Sequence, residues 1–164
     1  MKRERGDGGT QAILRHWREA VPNDRLAHLV RDASKGLMRA LHLRLSEHGV
    51  SVGHWTFLRI LWEEDGITQR ALSEQAGVME PTTYSALKGM EKQGYIVRRQ
   101  TNENRKNVFI HLTPKGRALK KRLVPLALEV NRIAVHGAPA ADVACTRRTL
   151  LRMIENLAGD EEAG

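Results

Sequence analysis

Cationic side chains are concentrated in one quarter of this 164-residue chain. Between Pro81 and Arg122 there are 11 Lys or Arg residues against only Glu91 and Glu103, a net charge of +9, whereas the whole chain carries +8. Charge that serves solubility is usually spread along a chain, while a localised basic segment is typical of a polyanion partner. The segment therefore predicts a nucleic-acid contact. A solvated basic face is the alternative on charge alone.

Residues that serve catalysis or metal binding are not arranged for either task. Cys145 is the one cysteine, so no intrachain disulfide can form, and no Cys or His pair has zinc-binding spacing. His42, His48 and His54 are six residues apart, which puts them on different faces of a helix. The sequence also has no Gly-rich phosphate loop, nucleophile elbow or paired-carboxylate motif. We expect no enzymatic activity, no metal and no cofactor.

The elements that must position the basic segment follow from apolar periodicity. DRLAHLVRDASKGLMRALHLRLSEHG and SVGHWTFLRILWEEDG each place apolar residues at helical spacing. The shorter TQRALSEQAG opens on Thr68 as an N-cap and closes on Gly77. VMEPTTYSALKGMEKQG then resumes helical spacing, with Pro81 suited to the first turn and Gly94 to the stop. Two helices joined by a tight glycine turn predict a helix-turn-helix.

The apolar period changes to two in GYIVRRQTNENRKNVFIHL, which predicts strands at about 95–100 and 107–112. TNENRK between them has no Asn-Gly type turn, so we expect a projecting hairpin tip, or wing. Thr113 and Pro114 cap and open a long helix in which Pro125 is expected to cause a kink. A last helix is expected from about residue 140 to 157.

The predicted fold is mainly α with a small β-hairpin wing: a winged helix-turn-helix flanked by N- and C-terminal dimerisation helices. The flanking helices have broader apolar faces than a compact helix-turn-helix could cover. No apolar run is long enough to span a membrane and the N-terminus lacks a secretory h-region, so we expect a cytoplasmic protein. The expected boundaries are a basic flexible arm at 1–23, a single domain at 24–158 with dimerisation helices at 24–48 and 114–157 and the winged helix-turn-helix at 51–112, and an acidic tail at 159–164.

The expected DNA contacts follow from how such modules dock. The N-terminal residues of the second helix meet base edges in the major groove, where threonine offers a hydroxyl and a methyl group. Cations at a wing tip can reach an adjacent minor groove. Of two arginines at the wing base, one could reach the backbone while the other braces the hairpin. The candidates are Thr68, Gln69, Pro81, Thr82, Thr83, Tyr84, Ser85, Lys88, Arg98, Arg99, Arg105 and Lys106.

From about Asp24 to Leu157 the sequence resembles the MarR (multiple antibiotic resistance regulator) family of winged-helix transcription factors. The resemblance is carried by ITQRALSEQAGVMEPTTYSALKGMEKQGYIVRR and by LTPKG at the start of the next helix. Two positions depart from the family pattern. Asn104 stands where the family usually has an aspartate that braces a nearby arginine, and Lys106 replaces a second arginine. These departures leave open which cation enters the groove.

The resemblance implies a homodimer that binds a pseudo-palindromic duplex operator, and a repressor released by a small phenolic or aromatic acid or by an aromatic acyl-coenzyme A thioester. Some relatives sense oxidants through a cysteine in the first helix, but Cys145 lies in the last helix and is interpreted as incidental. A non-specific architectural DNA binder and a winged-helix protein-interaction module are the alternatives. Cations and flat rings suited to an aromatic anion give the effector candidates His28, Arg31, Arg39, His42, His54, Trp55 and Phe57.

Overall fold

The computed structural model describes residues 9–19, 26–101 and 104–163. Its elements confirm the predicted fold class, a mainly helical chain with one two-stranded antiparallel hairpin. The chain divides into two compact units, Met1–Val130 and Asn131–Gly164. The elements are α1 (Gly9–Glu19), α2 (Leu26–Ser46), α3 (Val52–Glu63), α4 (Gln69–Ala76), α5 (Glu80–Lys92), β1 (Ile96–Thr101), β2 (Asn104–Leu112), α6 (Pro114–Ala134) and α7 (Ala140–Ala163).

Aliphatic residues fill the core of the first unit, as the small number of aromatic residues requires. α3 lies against α2, α4, α5 and β2, and so forms the centre of the unit. Trp55 packs edge-to-face on Trp62 with ring centroids 5.7 Å apart. The largest fully buried side chains are Leu45, Leu58, Leu61, Leu72, Leu87, Met90, Ile96, Ile110 and Leu123.

α4 and α5 form the predicted helix-turn-helix. The Thr68 hydroxyl caps α4 by accepting from the Ala71 amide at 3.1 Å, and Gly77 ends the helix with φ 64°. α5 begins after Met79 without a side-chain cap and has Pro81 in its first turn, where a missing amide hydrogen costs nothing. The cap and the glycine hold the turn between the two helices.

The wing is held to the rest of the unit at its base. β1 pairs antiparallel with β2, with Ile96 opposite Leu112 and Arg98 opposite Ile110. β2 also gains a short partner that the sequence did not predict, because the Ile110 amide donates to the Ile67 carbonyl at 2.9 Å. At the end of the same strand the Leu112 amide donates to Asp65 Oδ1 at 2.8 Å. The base of the hairpin is therefore fixed to the segment that precedes α4.

Two terminal predictions need correction. The expected flexible arm contains α1, which lies on α2: Trp17 Nε1 donates to Asp32 Oδ2 at 3.1 Å and Arg39 Nη1 donates to Thr10 Oγ1 at 3.1 Å. The expected acidic tail is helical, because α7 continues through Gly159 to Ala163. Both segments gain helical structure that their Gly-rich, charged composition did not indicate.

The second unit is largely exposed. In it the last turn of α6 and α7 line a cavity of about 440 Å³, whose walls include Val135, Leu150, Leu151 and Ile154. Such an apolar surface would be unfavourable in water without a covering partner. No helix in the described ranges is both long and apolar enough to cross a membrane.

Candidate nucleic-acid interface

The N-terminal half of α5 presents a mixed polar and aromatic face to solvent. Pro81, Tyr84, Ser85 and Lys88 follow one another at helical spacing, and all four are exposed. Tyr84 keeps 48% of its surface accessible although it is a large aromatic residue. Thr82 is exposed beside this face. These residues can contact a groove without any rearrangement of the helix.

Thr83 is the one recognition-helix candidate that the structure removes from the interface. Its side chain is 0% exposed. Ser73 Oγ lies 2.7 Å from Thr83 Oγ1, so this buried hydrogen bond joins α4 to α5. Thr83 shares a helical face with Leu87 and Met90, which are both fully buried. Its role is therefore to fix the angle of the helix-turn-helix, and the prediction of a base contact was wrong.

Thr83→Val should destabilise the protein by about 1–3 kcal/mol, because valine deprives the buried Ser73 hydroxyl of a hydrogen-bond partner. Thr82→Val is the matched control, since Thr82 is exposed and should change the free energy of unfolding by less than about 0.5 kcal/mol. Urea unfolding of both variants at one protein concentration measures the difference. Equal midpoints for the two variants would contradict the assigned role of Thr83.

Thr68 and Gln69 are half-buried at the start of α4. The Thr68 hydroxyl is used in capping the helix, and the Gln69 carbonyl accepts from Ser73 Oγ at 3.1 Å. Arg70 beside them is paired with Glu74 at 3.0 Å. Thr68 thus has a structural role in the α4 cap, while the Gln69 side chain stays a candidate for DNA contact.

The two arginines at the wing base have different environments. Because side chains alternate along β1, Arg98 lies on the same side as buried Ile96, while Arg99 is on the other side and is exposed. Arg98 donates to Glu91 Oε2 from Nη2 at 2.6 Å and from Nε at 3.0 Å. Hydrogen bonding from Arg98 lowers the pKa of the Glu91 carboxyl, so this carboxylate is ionised at neutral pH. Arg98 is the bracing residue and Arg99 is the exposed cation.

The wing-tip candidates can be placed only by their backbone. Arg105 and Lys106 belong to β2, but their side chains lie outside the described residues, as does the side chain of Asn104. Asn102 and Glu103 at the tip are also outside the described part of the chain. Which of the two cations enters a groove therefore stays a prediction.

The effector candidates have separate roles in the structure. Trp55 and Phe57 are core residues with 6% and 2% exposure. Arg31 Nε donates to Asp32 Oδ1 at 3.1 Å, while Arg39 is bonded to α1. His28 and His42 are exposed on α2. The interpretation of Trp55 and Phe57 as ligand contacts is not supported by their burial, since they pack into the protein interior.

His54 differs from the other effector candidates. Its Nδ1 atom is buried and has no hydrogen-bond partner among the described residues. A Cβ atom placed on Gly89 of α5 would lie 3.1 Å from His54 Nε2, so the imidazole sits directly against the recognition helix. Burial lowers the pKa of His54, which favours the neutral ring at pH 7. This ring is a polar group with an unused hydrogen-bonding atom next to α5.

Comparison with known proteins agrees with this geometry. Residues 50–108, which contain the helix-turn-helix and most of the wing, match the MarR family. An organic hydroperoxide resistance transcriptional regulator of Bacillus subtilis is 28% identical over 63% of this chain and 70% of its own length. The crystal structure of the transcriptional regulator PA3341 is 31% identical, has a TM-score of 0.71, and is matched over 81% of this chain and 98% of that one.

The chain belongs to the MarR family. A MarR-family regulator from Listeria monocytogenes, crystallised with a 26mer DNA, has a TM-score of 0.75 at 24% identity and covers 84% of this chain and 92% of its own. This MarR-family protein is a DNA-binding transcriptional regulator and not an enzyme. The helix-turn-helix of α4 and α5 with the β1–β2 wing is its DNA-binding element.

Proposed function

We propose that this MarR-family regulator is a sequence-specific repressor that binds a pseudo-palindromic operator as a homodimer. The observation that carries the proposal is the exposed face of α5, where Tyr84, Ser85 and Lys88 lie beside a wing strand that carries exposed Arg99. A helix with such a face can read base edges while the wing contacts phosphate. The Listeria relative bound to a 26mer DNA supports this use of the fold.

The proposed dimer rests on apolar side chains that remain in solvent. Leu150, Leu151, Ile154 and Leu157 of α7 are 37–64% exposed and follow one side of the helix. A second copy of the chain would cover them by a two-fold interface. Two-fold symmetry then places two half-sites about 10 base pairs apart, or a multiple of that distance.

Arg105→Ala and Lys106→Ala are each expected to reduce the salt dependence of DNA binding, since each removes one cation from the wing tip. The slope of log K against log salt should fall in magnitude by about one unit for each variant that loses a phosphate contact. Fluorescence anisotropy at several salt concentrations measures this slope.

Arg148→Ala supplies the matched control for the wing variants. Arg148 is an exposed arginine of α7, so the variant loses the same charge outside the proposed interface. A wild-type slope for both wing variants would exclude a phosphate contact by the wing. An equal decrease in all three variants would show a general effect of net charge.

We also propose that a phenolic or aromatic acid, or its coenzyme A thioester, releases the repressor from DNA. His54 supports this, because its buried Nδ1 lacks a partner among the described residues and its ring touches α5 at Gly89. A ligand can shift DNA affinity only by its differential affinity for the two states, and a coupling of about 1–3 kcal/mol changes affinity roughly 5- to 150-fold. Calorimetric titration with and without operator should give the same factor, and equal affinity in both titrations would exclude that ligand.

A further inference from the structure

Three side chains join the recognition helix to the wing. Arg98 on β1 binds Glu91 Oε2 through two nitrogens, and its guanidinium carbon lies 5.5 Å from the centre of the Tyr84 ring. We refer to Tyr84, Glu91 and Arg98 as the clamp. Two of its members are on α5 and the third is on the wing, so it spans the two elements that meet DNA.

The spacing of the clamp fixes two turns of α5 at once. Tyr84 and Glu91 are seven residues apart, which puts them on one helical face about 10 Å apart along the axis. The Arg98 guanidinium contacts both of them. Arginine can do this because its planar group donates two hydrogen bonds and still stacks on an aromatic ring, whereas lysine offers only a point charge.

The clamp also answers why an acidic residue occurs in the strongly basic segment. The Arg98 side chain is 25% exposed and its charge is matched by the Glu91 carboxylate at 2.6 Å. A cation in a close ion pair has little net charge to offer a phosphate. Arg99, its neighbour in sequence, has no acidic partner among the ion pairs of the described residues and is exposed.

We propose that Glu91 and Arg98 are positioning residues for DNA reading, which hold the Tyr84 ring and the wing in a fixed relation to α5, and that Tyr84 is a specificity-determining residue. This proposal rests on the proposed function. One ring face of Tyr84 is turned to the guanidinium, and the exposed 48% of the residue is available to the floor or wall of a groove. An aromatic ring whose position is fixed discriminates between base pairs by shape and apolar contact, which a mobile ring cannot do.

The test compares Arg98→Gln with Arg99→Gln, two adjacent substitutions of the same chemistry. Each is titrated against an operator selected from a random duplex pool by the wild-type protein, and against a shuffled duplex. Arg99→Gln should reduce the salt slope by about one unit and leave the ratio of operator to shuffled affinity unchanged. Arg98→Gln should leave the slope unchanged and lower that ratio roughly 5- to 150-fold, the range expected for one lost base-pair discrimination.

Further variants separate positioning from simple loss of structure. Glu91→Gln should lower the same ratio while it makes the salt slope steeper by about one unit, because it releases a cation near phosphate. Tyr84→Phe keeps the ring and should keep the ratio, whereas Tyr84→Ala should lose it. Arg98→Lys keeps the charge and should not restore the ratio. Thermal unfolding of each variant shows that the comparison is made on folded protein.

Two outcomes would overturn the proposal. If Arg98→Gln reduces the slope as Arg99→Gln does and keeps the ratio, Arg98 is a phosphate contact. If Tyr84→Ala keeps the ratio, Tyr84 does not determine specificity. Failure of the proposed function is a different result, since the wild-type protein would then bind operator and shuffled DNA equally.

Discussion

Gly116→Ala is expected to destabilise the protein by about 3 kcal/mol, at the upper end of what overpacking usually costs. Gly116 is buried in the first turn of α6. A Cβ atom there would collide with the backbone carbonyl oxygen of Tyr95 and would lie 3.1 Å from Leu112 Cδ2. Backbone atoms cannot rotate away as a flexible side chain would, so either the helix or the wing must move.

The surroundings of Gly116 make such a movement costly. Its amide donates to Thr113 Oγ1 at 3.0 Å, and its carbonyl accepts from Trp62 Nε1 at 3.0 Å. The Tyr95 carbonyl is held in turn by the Thr113 amide at 3.0 Å. A shift that relieves the collision therefore loses at least one buried hydrogen bond, worth about 1 kcal/mol.

Urea unfolding of Gly116→Ala and of Gly159→Ala provides the comparison. Gly159 lies in α7, and no atom lies within 4 Å of the place that an alanine methyl group would take there. Alanine at this position should be neutral or should stabilise the helix by up to about 1 kcal/mol. A Gly116→Ala variant as stable as the wild type would show that α6 and the start of β1 are packed less closely than these distances require.

Ile154→Glu should convert the proposed dimer into a monomer at micromolar concentration. Ile154 is 64% exposed and lines the apolar cavity of the second unit. A charge there would be buried without a partner in any two-fold interface that covers α7. Glutamate is a good helix former, so the substitution should leave α7 itself intact.

DNA affinity should fall with the dimer, by roughly 10²- to 10⁴-fold, because the second half-site contact would no longer be intramolecular. Sedimentation velocity and operator titration are measured on the same sample. Asn156→Glu is the matched control, since it adds the same charge two residues away, on another face of α7. A variant of Ile154 that stays dimeric and binds operator normally would place the interface elsewhere.

The elements were predictable from sequence where local signals define their ends. Thr68, Gly77 and Thr113 act in the structure as the caps and stop that their residue types indicated. α1 was not predicted, because eleven residues after a Gly-rich start give a weak helix signal and its contacts to Asp32 and Arg39 are tertiary. Local chemistry thus gives the helix-turn-helix, while the N-terminal segment depends on packing.

The site was less predictable than the fold, and for identifiable reasons. Thr83 could have been recognised as buried, since it lies four and seven residues before Leu87 and Met90 on one face of α5. The alternation of Ile96 and Arg98 likewise indicates which wing arginine faces the helix. The pairing of Asp65 with Arg117 at 2.6 Å joins residues distant in sequence, and periodicity contains no signal for it.

Selection from a random duplex pool, followed by sequencing, decides whether α5 and the wing of a two-fold dimer read a specific DNA sequence. We expect an enriched pseudo-palindrome whose half-sites are centred about 10 base pairs apart, or a multiple of that distance. Repeating the selection with Tyr84→Ala should weaken the base preference within each half-site. A wild-type pool without an enriched sequence, or with one asymmetric site bound by a single chain, would contradict sequence reading by a symmetric dimer.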